Sequence, residues 1–457
     1  MAKSCGEHSK FSLRLVVDEE KKKVVLAEAC SDFVDVLFSL LTLPMGTIVR
    51  LLEKHRKSEI GCLSNLYKSV VEMGIDDFET EACKQMLLYP RSLRDVQCKR
   101  LKLNLHPTDG VKMFACHTWR SCNMCSNFST SRCPCGKLME KAIPVRVGAE
   151  DVDKIQNGVF VRGRSSFIIT DDLKVAVRSI DLVLTELKSV GCGDFSKVGE
   201  RLVDIGFEEV MTLLQCIFSS NAPLTDTFLN KRSPRGLSTK TCETTSTYKE
   251  RKTEEVITVS AIVRKHETKI LHLECGEDFV DLLFTFLALP LESVLEISGN
   301  SSTFGCIGNL FKSFKELSAT QVSTFKAVIP HYYKCQKQLL NIITEQRPSW
   351  KRLVDGEPVV LIDPKSDGND QPTQARGFAK RDTKFAVSDD LVITPMNSIS
   401  TFCFLKKLQA QASDLEVKEI SITKTEATSL LEASLLTSSA LNAALWNLIA
   451  KKLKDET

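Results

Sequence analysis

The chain lacks almost every local signature of a known reaction. It has no G-x-x-x-x-G-K-[ST], no G-x-G-x-x-G after a strand, no G-x-S-x-G and no H-E-x-x-H. The missing motifs would have supplied a phosphate-cradling loop, a dinucleotide fold, a nucleophile elbow or a zincin helix. Long hydrophobic runs are missing too: no apolar stretch reaches the roughly 18 residues that a membrane helix needs. The opening MAKSCGEHSKFSLRL contains no apolar signal core. Ala2 excludes myristoylation, and KKLKDET is not a prenylation box. The expected compartment is cytoplasmic or nuclear, where cysteines stay reduced, bind metal or do redox chemistry. Nor is there an excess of either charge: 61 basic and 58 acidic residues leave a formal +3. Wholesale binding to nucleic acid or acidic membranes usually needs a concentrated basic footprint, so neither is expected.

What the chain does have is a repeat. EACSDFVDVLFSLLTLP at 28–44 aligns without a gap on ECGEDFVDLLFTFLALP at 274–290, with 10 of 17 positions identical. GCLSNLYKS at 61–69 then answers GCIGNLFKS at 305–313, and TDDL at 170–173 answers SDDL at 388–391. The spacing is too long for a solenoid unit of about 20–50 residues, so it reads as a duplicated domain.

Each copy opens with a hairpin. Phe11, Leu13, Leu15 and Val17 alternate with polar residues, as do Val259, Ala261 and Val263. A return strand and an almost wholly apolar helix follow, at 33–41 and 279–287, suited to the middle of a core. Pro44 and Pro290 stop these helices and can start another. A further helix uses Ile60, Leu63, Leu66, Val70 and Met73, with Ile307, Leu310, Phe314 and Leu317 in the second copy. Short hairpins turn at Asp171-Asp172 and Asp389-Asp390, and helical segments at 208–218 and 426–436 close each copy. The predicted class is α+β: two tandem homologous domains, each with short antiparallel hairpins packed against helices.

The domains are expected at 1–230 and 256–457. Between them, residues 231–255 contain no Val, Ile, Phe or Met and a single Leu. Such a segment buries too little apolar surface to order itself and reads as a flexible linker. Cleavage there is expected to release two stable halves.

The strongest chemical signal is ACHTWRSCNMCSNFSTSRCPCGKLM at 115–139, with Cys116, Cys122, Cys125, Cys133 and Cys135 inside 20 residues. Zinc favours four thiolate or imidazole ligands in a tetrahedron. Cys122-x-x-Cys125 is a usual ligand pair, and Cys133-Pro-Cys135-Gly resembles a zinc knuckle one residue short. Four of these five are expected to hold a structural zinc ion, with Cys122, Cys125, Cys133 and Cys135 preferred and Cys116 as the spare, able to replace Cys122 if the short gap at 133–135 shifts the pairing. A reduced surface loop and a thiol redox switch are the competing readings. The second copy has no such cluster, which favours a local structural role.

The repeated acids, Glu28, Asp32 and Asp35 with Glu274, Asp278 and Asp281, have the makings of paired general acids and bases. Helix capping accounts for Asp32 and Asp35 without chemistry, and turn formation accounts for the Asp-Asp pairs. Cys62 and Cys306 read as small buried thiols, since none of the seven histidines recurs in register with them. No catalytic residue is assigned.

Taken in order, LVVDEEKKKVVLAEACSDFVDVLFSLLTLPMGTIVRLL, IGCLSNLYKSV, CPCGKLM and FIITDDLKV with its copy FAVSDDLVI resemble a plant-specific family catalogued as domain of unknown function 674. The resemblance covers nearly the whole chain outside 231–255. It implies tandem copies of one domain and brings no activity or site residue with it. The resulting expectation is a non-catalytic binding or scaffold protein with a protein partner and one zinc site. An enzyme with scattered acids in an inter-domain cleft is the alternative, as is a nucleic-acid-associated protein using the cysteine knuckle.

Overall fold

The computed structural model describes residues 11–55, 59–105, 113–118, 122–143, 158–161, 165–189, 191, 195–230, 255–264, 269–299, 301–318, 328–342, 353–354, 357–358, 360–366, 376–396, 406 and 414–455. The segment read as a linker, 231–255, lies outside them except for Glu255.

Alternation of apolar and polar residues makes the first strand of each sheet. In Phe11–Asp18 the side chains of Phe11, Leu13, Leu15 and Val17 are buried while Ser12 and Arg14 face solvent. This strand lies in a five-stranded antiparallel sheet ordered Val175–Val177, Ser166–Thr170, Lys23–Cys30, Phe11–Asp18, Val198–Ile205. A second sheet is ordered Ile393–Pro395, Phe385–Ser388, Ile270–Cys275, Ile257–Arg264, Leu415–Ile422. The registers correspond as well as the orders. Leu15 faces Ala27 as Ala261 faces Leu273. Leu26 faces Thr170 as His272 faces Ser388, and Phe11 faces Ile205 as Ile257 faces Ile422. A one-residue slip would turn every apolar side chain to the wrong face, so these registers are tightly specified. The class is α+β. Among the described residues no helix is long and apolar enough to cross a membrane.

Helices Ser31–Ser39 and Glu277–Ala288 follow the inner strands and are buried almost all round. Beyond them the two copies cross. Pro44 and Pro290 stand opposite each other, with the Met45 N–H donating to the Leu289 carbonyl at 2.8 Å and the Leu291 N–H to the Leu43 carbonyl at 3.1 Å. Each proline then leads into a helix, Met45–Lys54 or Leu291–Ser298.

The next helix of each copy docks onto the other copy's sheet. Asn65, on Leu63–Glu72, donates to the backbone and side-chain oxygens of Asp390 at 3.1 and 3.2 Å. Asn309, on Cys306–Leu317, donates to the same two oxygens of Asp172 at 3.0 Å each. Ser69 accepts from the Ile393 N–H and Ser313 from the Val175 N–H, both at 2.9 Å. Cys62 Sγ donates to the Thr437 carbonyl and Cys306 Sγ to the Ser220 carbonyl. One continuous apolar core therefore runs from Phe11 to Ile449 through both copies.

Two buried carboxylates fasten distant loops to the apolar helices. Asp35 accepts the backbone N–H groups of Val159, Phe160 and Val161 at 2.5, 2.8 and 3.0 Å. Asp281 accepts those of Phe378 and Ala379 at 2.7 and 2.9 Å. The approach is so close that a Cβ on Gly377 would stand 1.6 Å from Asp281 Oδ2. The capping expectation is corrected here. The caps are Cys30 and Gly276, neither with a side-chain cap bond. Asp32 pairs with Lys102 and Asp278 with Lys337. The Asp-Asp turns stand, with an added duty: Asp171 accepts from Thr225 N–H and Oγ1, and Asp389 from the Asn442 N–H and Ser439 Oγ.

The crossing replaces the expectation of separable halves. If a site-specific protease sequence is placed within 231–254 and cut, the two fragments should elute together at the size of the uncut chain. Separation in native buffer on size-exclusion chromatography would refute the crossing.

Burial pushes Asp281 up to about 7 from its ordinary 3.8, against the pull of the Ala379 and Phe378 N–H groups and the Lys365 ammonium. Between those values the folded chain keeps a proton that the unfolded chain releases. Stability contributed by Asp281 is thus complete below about pH 4 and is lost as pH rises through about 7, by at most about 1.4 kcal/mol per unit. Asp281→Asn should remove this slope. Urea midpoints of the two proteins from pH 4 to 8, taken as a difference, measure it.

Candidate metal centre

The cysteine-rich stretch builds a small four-stranded sheet, ordered Val360–Leu361, Met124–Ser126, Met113–Ala115, Lys141–Ile143. Strand alternation sorts its side chains. Met113, Ala115, Cys125 and Ile143 pack together on one face, joined by Leu361. Phe114, Met124 and Ile362 lie on the other side, against Cys116, Cys133 and Met139.

Four sulfurs meet on that second side. The Sγ atoms of Cys116, Cys122, Cys133 and Cys135 all lie within 4.8 Å of one another, and Cys116 and Cys135 are 3.4 Å apart. A tetrahedral site with metal–sulfur bonds of about 2.3 Å needs sulfurs roughly 3.5–4 Å apart, so the four are close enough to hold one metal ion. Of the five expected ligands, Cys125 is the one left out. The reason is period-two geometry: an extended strand turns Met124 toward the sulfurs and Cys125 away. Cys116, expected as the spare, takes its place. It ends the strand Met113–Ala115 and is fully buried.

The knuckle supplies the other pair. Cys133 N–H donates to the Lys137 carbonyl at 2.8 Å and Gly136 N–H to the Cys133 carbonyl at 2.7 Å, closing a tight turn. Gly136 sits at φ 83°, the left-handed region where a side chain is strained. This turn aims the Lys137 backbone N–H at Cys135, which with the neighbouring thiols pulls the Cys135 thiol down to about 6. Burial pushes the Cys133 thiol up. An amide donating to sulfur favours the thiolate that metals require. Thr118 Oγ1 stands 3.3 Å from Cys116 Sγ and 3.5 Å from Cys122 Sγ. Cys116 and Cys133 are buried, Cys122 is partly covered and Cys135 is exposed. None of the thirteen described cysteines is in a disulfide. Burial holds the Cys62 thiol at about 12, which makes it a poor nucleophile at neutral pH.

Sequence reasoning missed one element of the centre. Strand Val360–Leu361 comes from the second copy and lies parallel to Met124–Ser126. The Val360 N–H donates to the Asn123 carbonyl at 2.7 Å and the Ile362 N–H to the Cys125 carbonyl at 3.0 Å. Only the apolar run VVLI at 359–362 hinted at a strand, and nothing in it named a partner.

The family model described as "Protein of unknown function (DUF674)" matches residues 7–425. The chain belongs to the DUF674 family. No curated protein and no solved structure matches it. The matched span of this DUF674 chain takes in both large sheets and the whole cysteine-bearing segment.

For any metal held by this DUF674 chain at these four thiolates, Cys116→Ser removes a ligand and Cys125→Ala does not. Metal per chain, by inductively coupled plasma analysis, should fall in C116S and stay at the wild-type ratio in C125A. The reverse result would restore Cys125 as a ligand.

Proposed function

We propose that the chain is a non-catalytic binding or scaffold protein built from two homologous copies of one domain, with a structural zinc centre in the first. The observation that carries this reading is the gathering of four cysteine sulfurs with no other ligand type. All-thiolate tetrahedra characterise closed structural zinc sites, whereas catalytic zinc keeps a position open for water. The duplication is supported by matching strand order and register in the two sheets. The proposed setting is cytoplasmic or nuclear, and the proposed partner is another protein.

The enzyme reading is weakened by where the acids are spent. Asp35 and Asp281 hold backbone N–H groups, Asp32 and Asp278 pair with lysines, and Glu28 pairs with Arg14 and Arg178. A general acid or base must instead be within reach of a substrate proton. Among the described residues the nucleic-acid reading has Arg132, Lys137 and Lys141 beside the knuckle, a small basic footprint.

Gently purified protein should contain about one equivalent of zinc per chain. Cys133→Ser/Cys135→Ser should lose it. Less than about half an equivalent in the wild type, or retention in the double variant, overturns the reading.

A further inference from the structure

The cysteine-bearing segment belongs to the first copy, yet its sheet is completed by the second. We propose that the metal centre is a clasp between the copies: metal occupancy fixes residues 360–366 of the second copy, and those residues in turn tighten the metal site. The proposal rests on the zinc reading above.

Three contacts carry it. First, the short strand Val360–Leu361 pairs with Met124–Ser126, the strand between the first and second pairs of sulfurs, through N–H groups that donate to the Asn123 and Cys125 carbonyls. Ile362 follows and packs against Cys116, Cys133 and Met139. The sulfurs pack on a small apolar group of Phe114, Met124, Met139 and Ile362, so binding of a metal there is coupled to the order of this segment. Second, the chain dives into the shared core three residues later. Lys365 is wholly buried; its ammonium donates to the Tyr332 carbonyl and to both oxygens of Asp363. A buried ammonium without partners is strongly unfavourable, so this anchor has one good position. Third, the same stretch is tied to the first copy again. Thr80 Oγ1, at the start of helix Glu81–Leu88, donates to the Pro364 carbonyl at 3.0 Å. Phe128 of the cysteine segment meets Tyr332 edge-on, ring centres 6.0 Å apart.

The chain thus runs from the sulfur cluster at Val360 to the buried Lys365 in six residues, with partners from both copies on the way. A site and a strand in such contact share one coupling free energy, and linkage makes it reciprocal: whatever factor metal adds to strand docking, strand docking adds to metal affinity. Backbone groups just outside a ligand set commonly affect metal affinity about 10- to 100-fold.

The test uses the full chain, zinc-loaded and after chelator treatment, with metal content measured first. Hydrogen exchange should accelerate at least about tenfold in 360–366 together with 113–143 on zinc removal, while Phe11–Asp18 and Ile257–Arg264 stay protected. Val360→Pro deletes the N–H that meets Asn123 and should weaken zinc affinity about 10- to 100-fold. Val360→Ala keeps that N–H and should bind like the wild type. If 113–143 loosens while 360–366 does not change, or if V360P binds zinc as tightly as V360A, the clasp is overturned and the metal centre survives. If the purified chain carries no zinc at all, the metal reading falls and the clasp with it. The exchange experiment on the unmutated chain decides the matter even if V360P fails to fold.

Discussion

Everything in the large-scale fold depends on the exchange that begins at Pro44 and Pro290. Two apolar helices, Ser31–Ser39 and Glu277–Ala288, end there, and each chain segment passes to the other side. The helices that follow would otherwise close their own sheets. Instead Leu63–Glu72 lies against the turn at Asp389-Asp390, and Cys306–Leu317 against the turn at Asp171-Asp172. An asparagine side chain donates to the backbone carbonyl and one carboxylate oxygen of a turn aspartate in each case. These bonds sit at the edge of a core where an unpaired polar group is costly, so they select the docked register as well as adding stability. The two repeat segments share one continuous apolar core, and their sheets have matching strand orders.

The buried carboxylates follow from the same arrangement. Asp35 and Asp281 lie on the central helices, where solvation is lost, and an ionised or neutral carboxyl there needs partners. Backbone N–H groups of the loops before Ser166–Thr170 and Phe385–Ser388 supply them. Glycines at 158 and 377 make the approach possible. The interaction locks loop to helix within each copy, while the asparagine–aspartate pairs lock copy to copy. Of the acids that repeat in the sequence, Asp35 and Asp281 hold backbone N–H groups, and Glu28, Asp32 and Asp278 pair with basic side chains.

Much of the local structure was legible in the sequence. Strand alternation, the apolar helices, the proline stops and the Asp-Asp turns all appear at or within a few residues of their expected places. Local chemistry dictates them. Which helix docks on which sheet was not legible, for a physical reason. Both copies present the same apolar faces and the same Asn and Asp residues, so docking within a copy and docking across copies satisfy one pattern equally. Asp35 was read as a cap because Asp32 precedes it by three residues; its true partners lie about 125 residues away in sequence. At the sulfur cluster the ligand-like spacing of Cys122 and Cys125 is misleading, because Cys125 lies on the strand Met124–Ser126, where neighbouring side chains face opposite ways and Met124 takes the sulfur side.

The sulfur cluster has no counterpart among the described residues of the second repeat. Cys116, Cys122, Cys133 and Cys135 stand in the first, and only Cys335, which is buried, lies in the comparable stretch of the second. Yet the asymmetric segment is not an appendage of one copy. The exchange at Pro44 and Pro290 brings the second copy's chain past the first copy's insertion, and the strand at 360–361 completes its sheet. Had the copies folded as separate beads, a cysteine-bearing insertion would have had its own copy alone to pack on. Because they interlock, a local cluster of sulfurs borders both, and Lys365 carries that contact into the common core. The two-fold fold and the one-sided site are thus parts of a single construction: the crossing puts the second copy where the first copy's cysteines can reach it.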